Sequence, residues 1–185
     1  MKFTSKEEVT TYFKKNPNLT VLHIYNSPEL TSLPELPRNL THLRIYDCAA
    51  LTSLPTLPGT LTVLLVYNCP RLKSLPELPS TLTQLHAYKC PGLAMLPSLP
   101  DKLISLLLYN CPEVTNLPEL PSTLTALLVY DSPGLKSLPE LPRALTVLLL
   151  YHCPALTRPS ELPSNLHVRL IHNCPGLKEE SPLAA

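Results

Sequence analysis

A period of 21 residues governs this chain. Leucine recurs eight times at that spacing, at Leu19, Leu40, Leu61, Leu82, Leu103, Leu124, Leu145 and Leu166. Numbered from this leucine, each unit reads L-T-x-L-x-(aliphatic)-Y-x-C-P-x-L-x-S-L-P-E-L-P-x-x, as residues 61–81 illustrate. The first nine positions match L-x-x-L-x-L-x-x-N/C. Units that bury their apolar faces only against neighbours stack into a solenoid. The sequence therefore predicts a leucine-rich-repeat solenoid, shaped as a horseshoe.

The two halves of a repeat predict different backbone structures. Positions 3 to 7 alternate outward and inward, which indicates a short strand, and stacked strands form one parallel sheet on the concave side. Leucines or their equivalents at positions 1, 4, 6, 12, 15 and 18 point into the core. In the L-P-x-L-P half, each proline lacks a donor and keeps the preceding residue out of the helical region. We therefore expect an extended, polyproline-II-like convex side.

The ends of the chain differ from the repeats, as a solenoid requires. Ser5-x-x-Glu8 is a capping box, and Val9, Tyr12 and Phe13 follow at helical spacing, so Ser5 to about Lys15 is predicted to be a capping helix. Repeat 7 carries Arg-Pro-Ser at residues 158–160, and repeat 8 carries Arg169 at the inward position 4. We divide the chain into a capping helix and turn (1–18), eight repeats with the last incomplete (19–176), and a C-terminal tail (177–185).

Composition excludes several classes of protein. The 23 prolines would suit a disordered chain, but 44% hydrophobic residues would not. A net charge of +1 gives no sign of nucleic acid or an anionic membrane as partner. No apolar run is long enough to insert into a membrane, and residues 1–18 lack the apolar core of a secretory signal. These features predict a chain made in the cytoplasm, without a cofactor.

The six cysteines all occupy position 9, the inward turn after the strand: Cys48, Cys69, Cys90, Cys111, Cys153 and Cys174. Neighbours in the stack would be close enough for disulfides. However, Ser27 and Ser132 fill the same position in repeats 1 and 6, and a small side chain with a weak donor suits both residue types. We favour a buried, reduced thiol ladder over disulfides or a zinc site, whose ligands come in clustered pairs.

Position 7, which points outward from the sheet, carries an aromatic column: Tyr25, Tyr46, Tyr67, Tyr88, Tyr109, Tyr130, Tyr151 and then His172. A strand spacing of about 4.8 Å permits offset stacking of these rings. Two interpretations stay open: the column only stabilises the sheet, or it is a partner-binding strip, since tyrosine is enriched at interface hot spots.

The neighbouring outward columns favour binding. Position 5 is mixed and partly basic in the first repeats and aliphatic from repeat 5 onward, and position 8 adds a polar border. An exposed apolar surface rimmed by polar residues is typical of an interaction site. We predict that the binding surface consists of Tyr67, Tyr88, Tyr109, Tyr130, Tyr151, Leu65, Leu107, Leu128, Leu149, Val147, His23, Arg44 and His86.

Catalysis and metal binding find little support. His23 and His86 share a column but lie three repeats, or about 14 Å, apart. His23, His42 and Arg44 are neighbours that could hold an anion or a carboxylate of a partner. No recurrent Asp or Glu joins them, so we predict neither catalytic nor metal-binding residues.

The L-P-E-L-P half-repeats at residues 33–37, 75–79, 117–121 and 138–142, with the N-terminal capping helix, resemble the YopM-type and IpaH-type leucine-rich repeats of bacterial secreted effectors. The units here are 21 residues long and carry Cys-Pro where those families more often carry Asn. The resemblance implies a non-enzymatic protein secreted into a host cell, where it binds a host protein. The ubiquitin-ligase domain of IpaH-type effectors is absent from the sequence. Two alternatives are the substrate-recognition part of a ubiquitin ligase and a self-associating repeat protein that forms a homodimer.

Overall fold

The computed structural model of the chain describes residues 1–157 and 162–177. Its one described helix is followed by eight strands of five residues each: α1 (Lys6–Lys15), β1 (Val21–Tyr25), β2 (His42–Tyr46), β3 (Val63–Tyr67), β4 (Gln84–Tyr88), β5 (Ser105–Tyr109), β6 (Ala126–Tyr130), β7 (Val147–Tyr151) and β8 (Val168–His172). The altered segment of repeat 7 at residues 158–160 and the tail from 178 onward lie outside the described residues.

All eight strands form one parallel sheet in chain order, so each repeat pairs only with its neighbours. The register joins identical positions of successive repeats, as in Leu22 opposite Leu43 and Tyr25 opposite Tyr46. From β1 to β7 the side chains at positions 4 and 6 are buried, and those at positions 5 and 7 are half-buried or exposed. The predicted leucine-rich-repeat solenoid, with its strands at positions 3 to 7, is confirmed.

The core is a column of leucines enclosed between the sheet and the second halves of the repeats. In repeat 1 the convex side contributes Leu30, Leu33 and Leu36, all buried. Among the described residues, the L-P-x-L-P halves contain no helix, and two isolated parallel bridges, Ser74–Met95 and Asn116–Ser137, connect neighbouring turns. This agrees with the extended backbone that the prolines predict.

The capping helix begins where the sequence predicts. Ser5 is the N-cap of α1, and its Oγ accepts a hydrogen bond from the backbone N–H of Glu8 at 3.3 Å. In return, the Glu8 carboxylate accepts from the backbone N–H of Thr4 at 2.7 Å. These bonds satisfy donors that a free helix end would leave unpaired. Val9 is fully buried, which attaches the helix to the first repeat.

The first three residues cover the otherwise open edge of the sheet, a feature that the sequence pattern did not predict. The Met1 amino group donates to the carbonyl of His23 at 2.6 Å, and the Tyr25 N–H donates to the carbonyl of Met1 at 2.8 Å. Phe3 is buried, and its N–H donates to Ser27 Oγ at 2.9 Å. An uncovered edge strand would offer its backbone groups to other chains.

A sharp turn after each strand depends on position 8, which has a left-handed backbone in every repeat, with φ between 48° and 54°. Six of these eight residues are Asn or Asp, the non-glycine types that tolerate this region best. The position-8 N–H then donates to the position-7 carbonyl of the next repeat, as Asn68 does to Tyr88 at 2.8 Å. The polar border predicted at position 8 therefore has a backbone cause.

No helix in the described part of the chain has the length and apolar character that crossing a membrane requires.

Candidate functional site

The outward face of the sheet, formed by positions 3, 5 and 7 of the strands, is the candidate site, and its most regular feature is the tyrosine column. From Tyr46 to Tyr151, successive ring centroids lie 6.1–6.3 Å apart and successive ring planes are inclined by 36–43°. The offset stacking that the strand spacing permits is therefore not the arrangement of these pairs, whose rings are tilted. The ring centroids are farther apart than the strands, whose spacing is about 4.8 Å, and each tilted ring meets its neighbour at an angle.

The ends of the column differ from its middle. Tyr25 and Tyr151 are 53% and 37% exposed, whereas the rings between them are half-buried against one another. Only the last pair is stacked, with the Tyr151 and His172 centroids 5.0 Å apart and their planes inclined by 18°. The inner rings thus form a continuous, partly covered aromatic strip whose edges and hydroxyl groups remain available.

The aliphatic column lies beside the tyrosines at position 5. Leu65, Leu107, Leu128 and Leu149 are half-buried, because each side chain lies between the position-5 residues of the flanking strands. The outward orientation predicted for them is confirmed, but they are less exposed than a solitary outward leucine. Towards the C-terminal end of the solenoid the apolar side chains are more exposed, with Val168 48% and Leu170 47% exposed. Val147, in the position-3 column, is half-buried.

His86 interrupts the aliphatic column and is held by its neighbours. Its Nε2 lies 3.1 Å from the hydroxyl of Ser105 on the next strand, and its ring meets that of Tyr88 edge-on, with centroids 6.3 Å apart. Burial lowers the pKa of His86, which favours the neutral ring. His86 therefore contributes a neutral hydrogen-bonding group in the middle of the face.

The other predicted basic residues, His23 and Arg44, meet at the start of the sheet. They are paired in the register of β1 and β2, and Arg44 Nη1 lies 3.5 Å from His23 Nε2. His42 lies on the same face of β2, two residues before Arg44. Burial, followed by the positive charges of Arg44, the Met1 amino group and His42, lowers the pKa of His23. The structure thus places the basic residues about His23 together and separates them from His86.

The polar rim at position 8 contains side-chain ladders as well as the turn. Asn68 Nδ2 donates to the Asp47 carboxylate at 2.8 Å, and His152 Nδ1 lies 3.0 Å from the Asp131 carboxylate. Two rim residues, Lys89 and His152, adopt the left-handed backbone without being Asn or Asp. In the sequence, the Asn and Asp residues at this position indicate the turn.

Behind the face, the position-9 thiols point to the turn backbone as predicted. Cys48, Cys69 and Cys90 are buried and donate to the carbonyls of the tyrosines two residues earlier, at 3.3–3.5 Å. Burial raises the pKa of Cys90 to about 11 and that of Cys111 to about 12, so both remain thiols at neutral pH. At the C-terminal end, the neighbouring Cys153 thiol lowers the pKa of Cys174 to about 7. Within residues 1–157 and 162–177, no group of three His, Cys, Asp or Glu side chains is arranged to hold a metal ion.

Comparisons with known proteins support the fold. A scan against protein families finds no match, and a search of curated proteins finds none either. Among solved structures, the chain is similar to YopM from Yersinia enterocolitica WA-314, with 26% identity and a TM-score of 0.53, over 84% of this chain and 42% of that one. It is also similar to YopM, a leucine-rich effector protein from Yersinia pestis, with 24% identity and a TM-score of 0.40, over 88% of this chain and 63% of that one.

The chain thus spans less than half the length of the Yersinia enterocolitica protein, with 42% of it covered. What is shared is the stack of short repeats and the parallel sheet they form. The resemblance predicted from the L-P-E-L-P half-repeats is confirmed, and the chain is a leucine-rich-repeat protein with a YopM-like fold.

Proposed function

We propose that this chain is a non-enzymatic interaction protein that binds a host protein through the outward face of its sheet, in the manner of a secreted bacterial effector. The tyrosine column carries this proposal. Seven consecutive strands present a tyrosine in register, and five successive ring pairs are in contact along the face. Large, rigid aromatic side chains are the usual anchors of protein interfaces.

The aliphatic column extends the same surface. Leu107, Leu128, Leu149 and Leu170 stand beside the tyrosines, although leucine on this side of the sheet adds nothing to the leucine core. Asn68, Asp131 and His152 border the strip with polar groups. An apolar centre with a polar rim is the composition expected of a protein-binding face, and solenoids commonly bind through such extended surfaces.

Secretion into a host cell and the identity of the partner as a host protein rest on the likeness to YopM. YopM from Yersinia pestis is described as an effector. Non-enzymatic action is supported by the thiols behind the face, because burial keeps Cys90 and Cys111 protonated. Incubation with ubiquitin and its activating and conjugating enzymes tests this part, because formation of ubiquitin chains would contradict it.

The first test is the solution mass by light scattering over a range of concentrations. A monomer near 20.5 kDa is expected, which leaves the face free for a partner. A dimer that Leu128→Asp dissociates would mean that the face binds a second copy of the chain, and would contradict the proposal.

The second test measures capture of host proteins by immobilised wild type and two variants. Leu128→Asp places a charge in the strip, and Met95→Asp makes the same kind of change at a residue that is 71% exposed and outside the strands. A host protein that is retained by wild type and Met95→Asp but lost with Leu128→Asp supports the proposal. Equal retention by both variants would show that this face is not the binding site.

A further inference from the structure

The charges at the beginning of the face are of one sign. Arg44 lies between His23 on β1 and Leu65 on β3 in the position-5 column, and His42 lies on the same face of β2. Within residues 1–157 and 162–177, Arg44 has no carboxylate within 4.0 Å; the one ion pair found there joins His152 to Asp131. Every charged group that shifts the pKa of His23 is positive: Arg44, the Met1 amino group and His42.

The Arg44 guanidinium is also short of hydrogen-bond acceptors. Its Nε is buried and has no partner, and its Nη1 meets only the imidazole nitrogen of His23 at 3.5 Å, a long contact. A guanidinium carries five donors in a planar fork that suits the two oxygens of a carboxylate or phosphate. A half-buried arginine between an imidazole and a leucine therefore lacks the anion that such a group ordinarily has.

We propose that His23, His42 and Arg44 form a binding site for an oxyanion group, a carboxylate or a phosphate, at the N-terminal end of the face. Arg44 holds the anion by its charge and its free N–H groups, and the imidazolium form of His23 supplies a further N–H donor. His42 Nδ1 lies 2.9 Å from the hydroxyl of Thr41, a contact that holds the ring in place on this face.

The site predicts a particular pH dependence. The groups that face His23 are Arg44 and His42 on β2 and the amino group of Met1, all of which disfavour its protonated form. A bound anion reverses that effect and raises the pKa of His23. Binding therefore takes up a proton. The affinity for the anion increases as the pH falls from the pKa of His23 in the complex to its lower pKa in the free protein. Below that range the affinity is constant.

The site can be tested without any protein partner, so its failure and that of the proposed host-protein binding are distinguishable. The probes are inorganic sulfate, which represents phosphate and keeps its charge through the histidine range, and acetate, which represents a carboxylate. The pKa of each histidine ring is followed by NMR in either salt and in sodium chloride of equal ionic strength. His86, held by Ser105, is the internal control.

A rise of about 1 in the pKa of His23 in sulfate or in acetate, relative to chloride, is expected. The salt with the larger effect identifies the oxyanion. The rise should persist in Arg143→Gln, an exposed arginine outside the strands, and disappear in Arg44→Gln. Arg44→Met is the second replacement, because Leu65 shows that an aliphatic side chain packs in this column. No rise in either salt, or an equal rise in the Arg44 variants or at His86, would overturn the proposal.

Discussion

The ammonium group of Lys89 lies over the ring of Tyr67, with Nζ 5.5 Å from the ring centroid. The contact crosses from the rim of β4 to the aromatic column of β3, so a rim residue is coupled to the candidate binding face. Lys89 also holds a left-handed backbone, with φ of 51°, as Asn68 does one repeat earlier. The turn therefore determines the backbone conformation of this lysine, and its side chain contacts the tyrosine.

Lys89→Gly should be more stable than Lys89→Ala by about 1 kcal/mol, because alanine keeps a Cβ that the left-handed region disfavours. Both variants lack the cation–π contact, so their difference isolates the backbone effect. Urea unfolding followed by circular dichroism measures it. At Lys73, which is exposed and has no positive φ, the order should reverse. An alanine variant at residue 89 as stable as the glycine variant would contradict the strain argument.

The two faces of β6 should respond oppositely to a charge. Leu127 is fully buried, so Leu127→Asp should lower the free energy of unfolding by about 4 kcal/mol or more. Leu128 is half-buried on the outward face, and Leu128→Asp should cost only about 1–2 kcal/mol and retain the native circular dichroism. Thermal melts of the two variants check the comparison. Equal loss of structure would mean that the strand faces are assigned incorrectly.

Replacing Ser27 by cysteine should destabilise the protein, although most repeats carry cysteine at that position. Its Oγ accepts from the backbone N–H of Phe3, and sulfur is a weak acceptor. Ser27→Cys should therefore lower the free energy of unfolding by about 1 kcal/mol. The matched control is Ser132→Cys, because Ser132 Oγ donates to the carbonyl of Tyr130, as the cysteines do with theirs. Its effect should stay within about 0.5 kcal/mol in the same urea titration.

Cys174 should be the first thiol to react with iodoacetamide. It is 4% exposed where the other five cysteines are fully buried, and the neighbouring Cys153 thiol lowers its pKa to about 7. Because the thiolate is the nucleophile, the labelling rate should rise with pH up to about 7 and then level off. Burial raises the pKa of Cys111 to about 12, so that residue should label much later than Cys174.

Mass spectrometry of timed samples identifies the labelled cysteines. Cys153→Ala removes the neighbouring thiol and should slow the labelling of Cys174 at pH 7. The prediction is wrong if Cys111 reacts as early as Cys174 in the wild-type protein.

The sequence by itself determined the repeat, the strands and their faces. A constant period of 21 residues keeps every position in register, so the alternation at positions 3 to 7 decides which side chains enter the core of each strand. The capping helix was predictable for a local reason, because Ser5 and Glu8 pair within one turn. The tyrosine column followed from the same register.

Only the tertiary structure decided what depends on distances between repeats. The tilt of the tyrosine rings depends on how rings of adjacent repeats pack, and the half-burial of Leu128 results from the leucines on both flanking strands. The backbone of Met1 pairs with β1 because the first strand has an open edge, although nothing in the first three residues indicates a strand. Arg44 lacks a hydrogen-bond partner for its Nε because its neighbours across the sheet are His23 and Leu65. A local pattern specifies which way a side chain points, whereas its contacts depend on the adjacent turns of the solenoid.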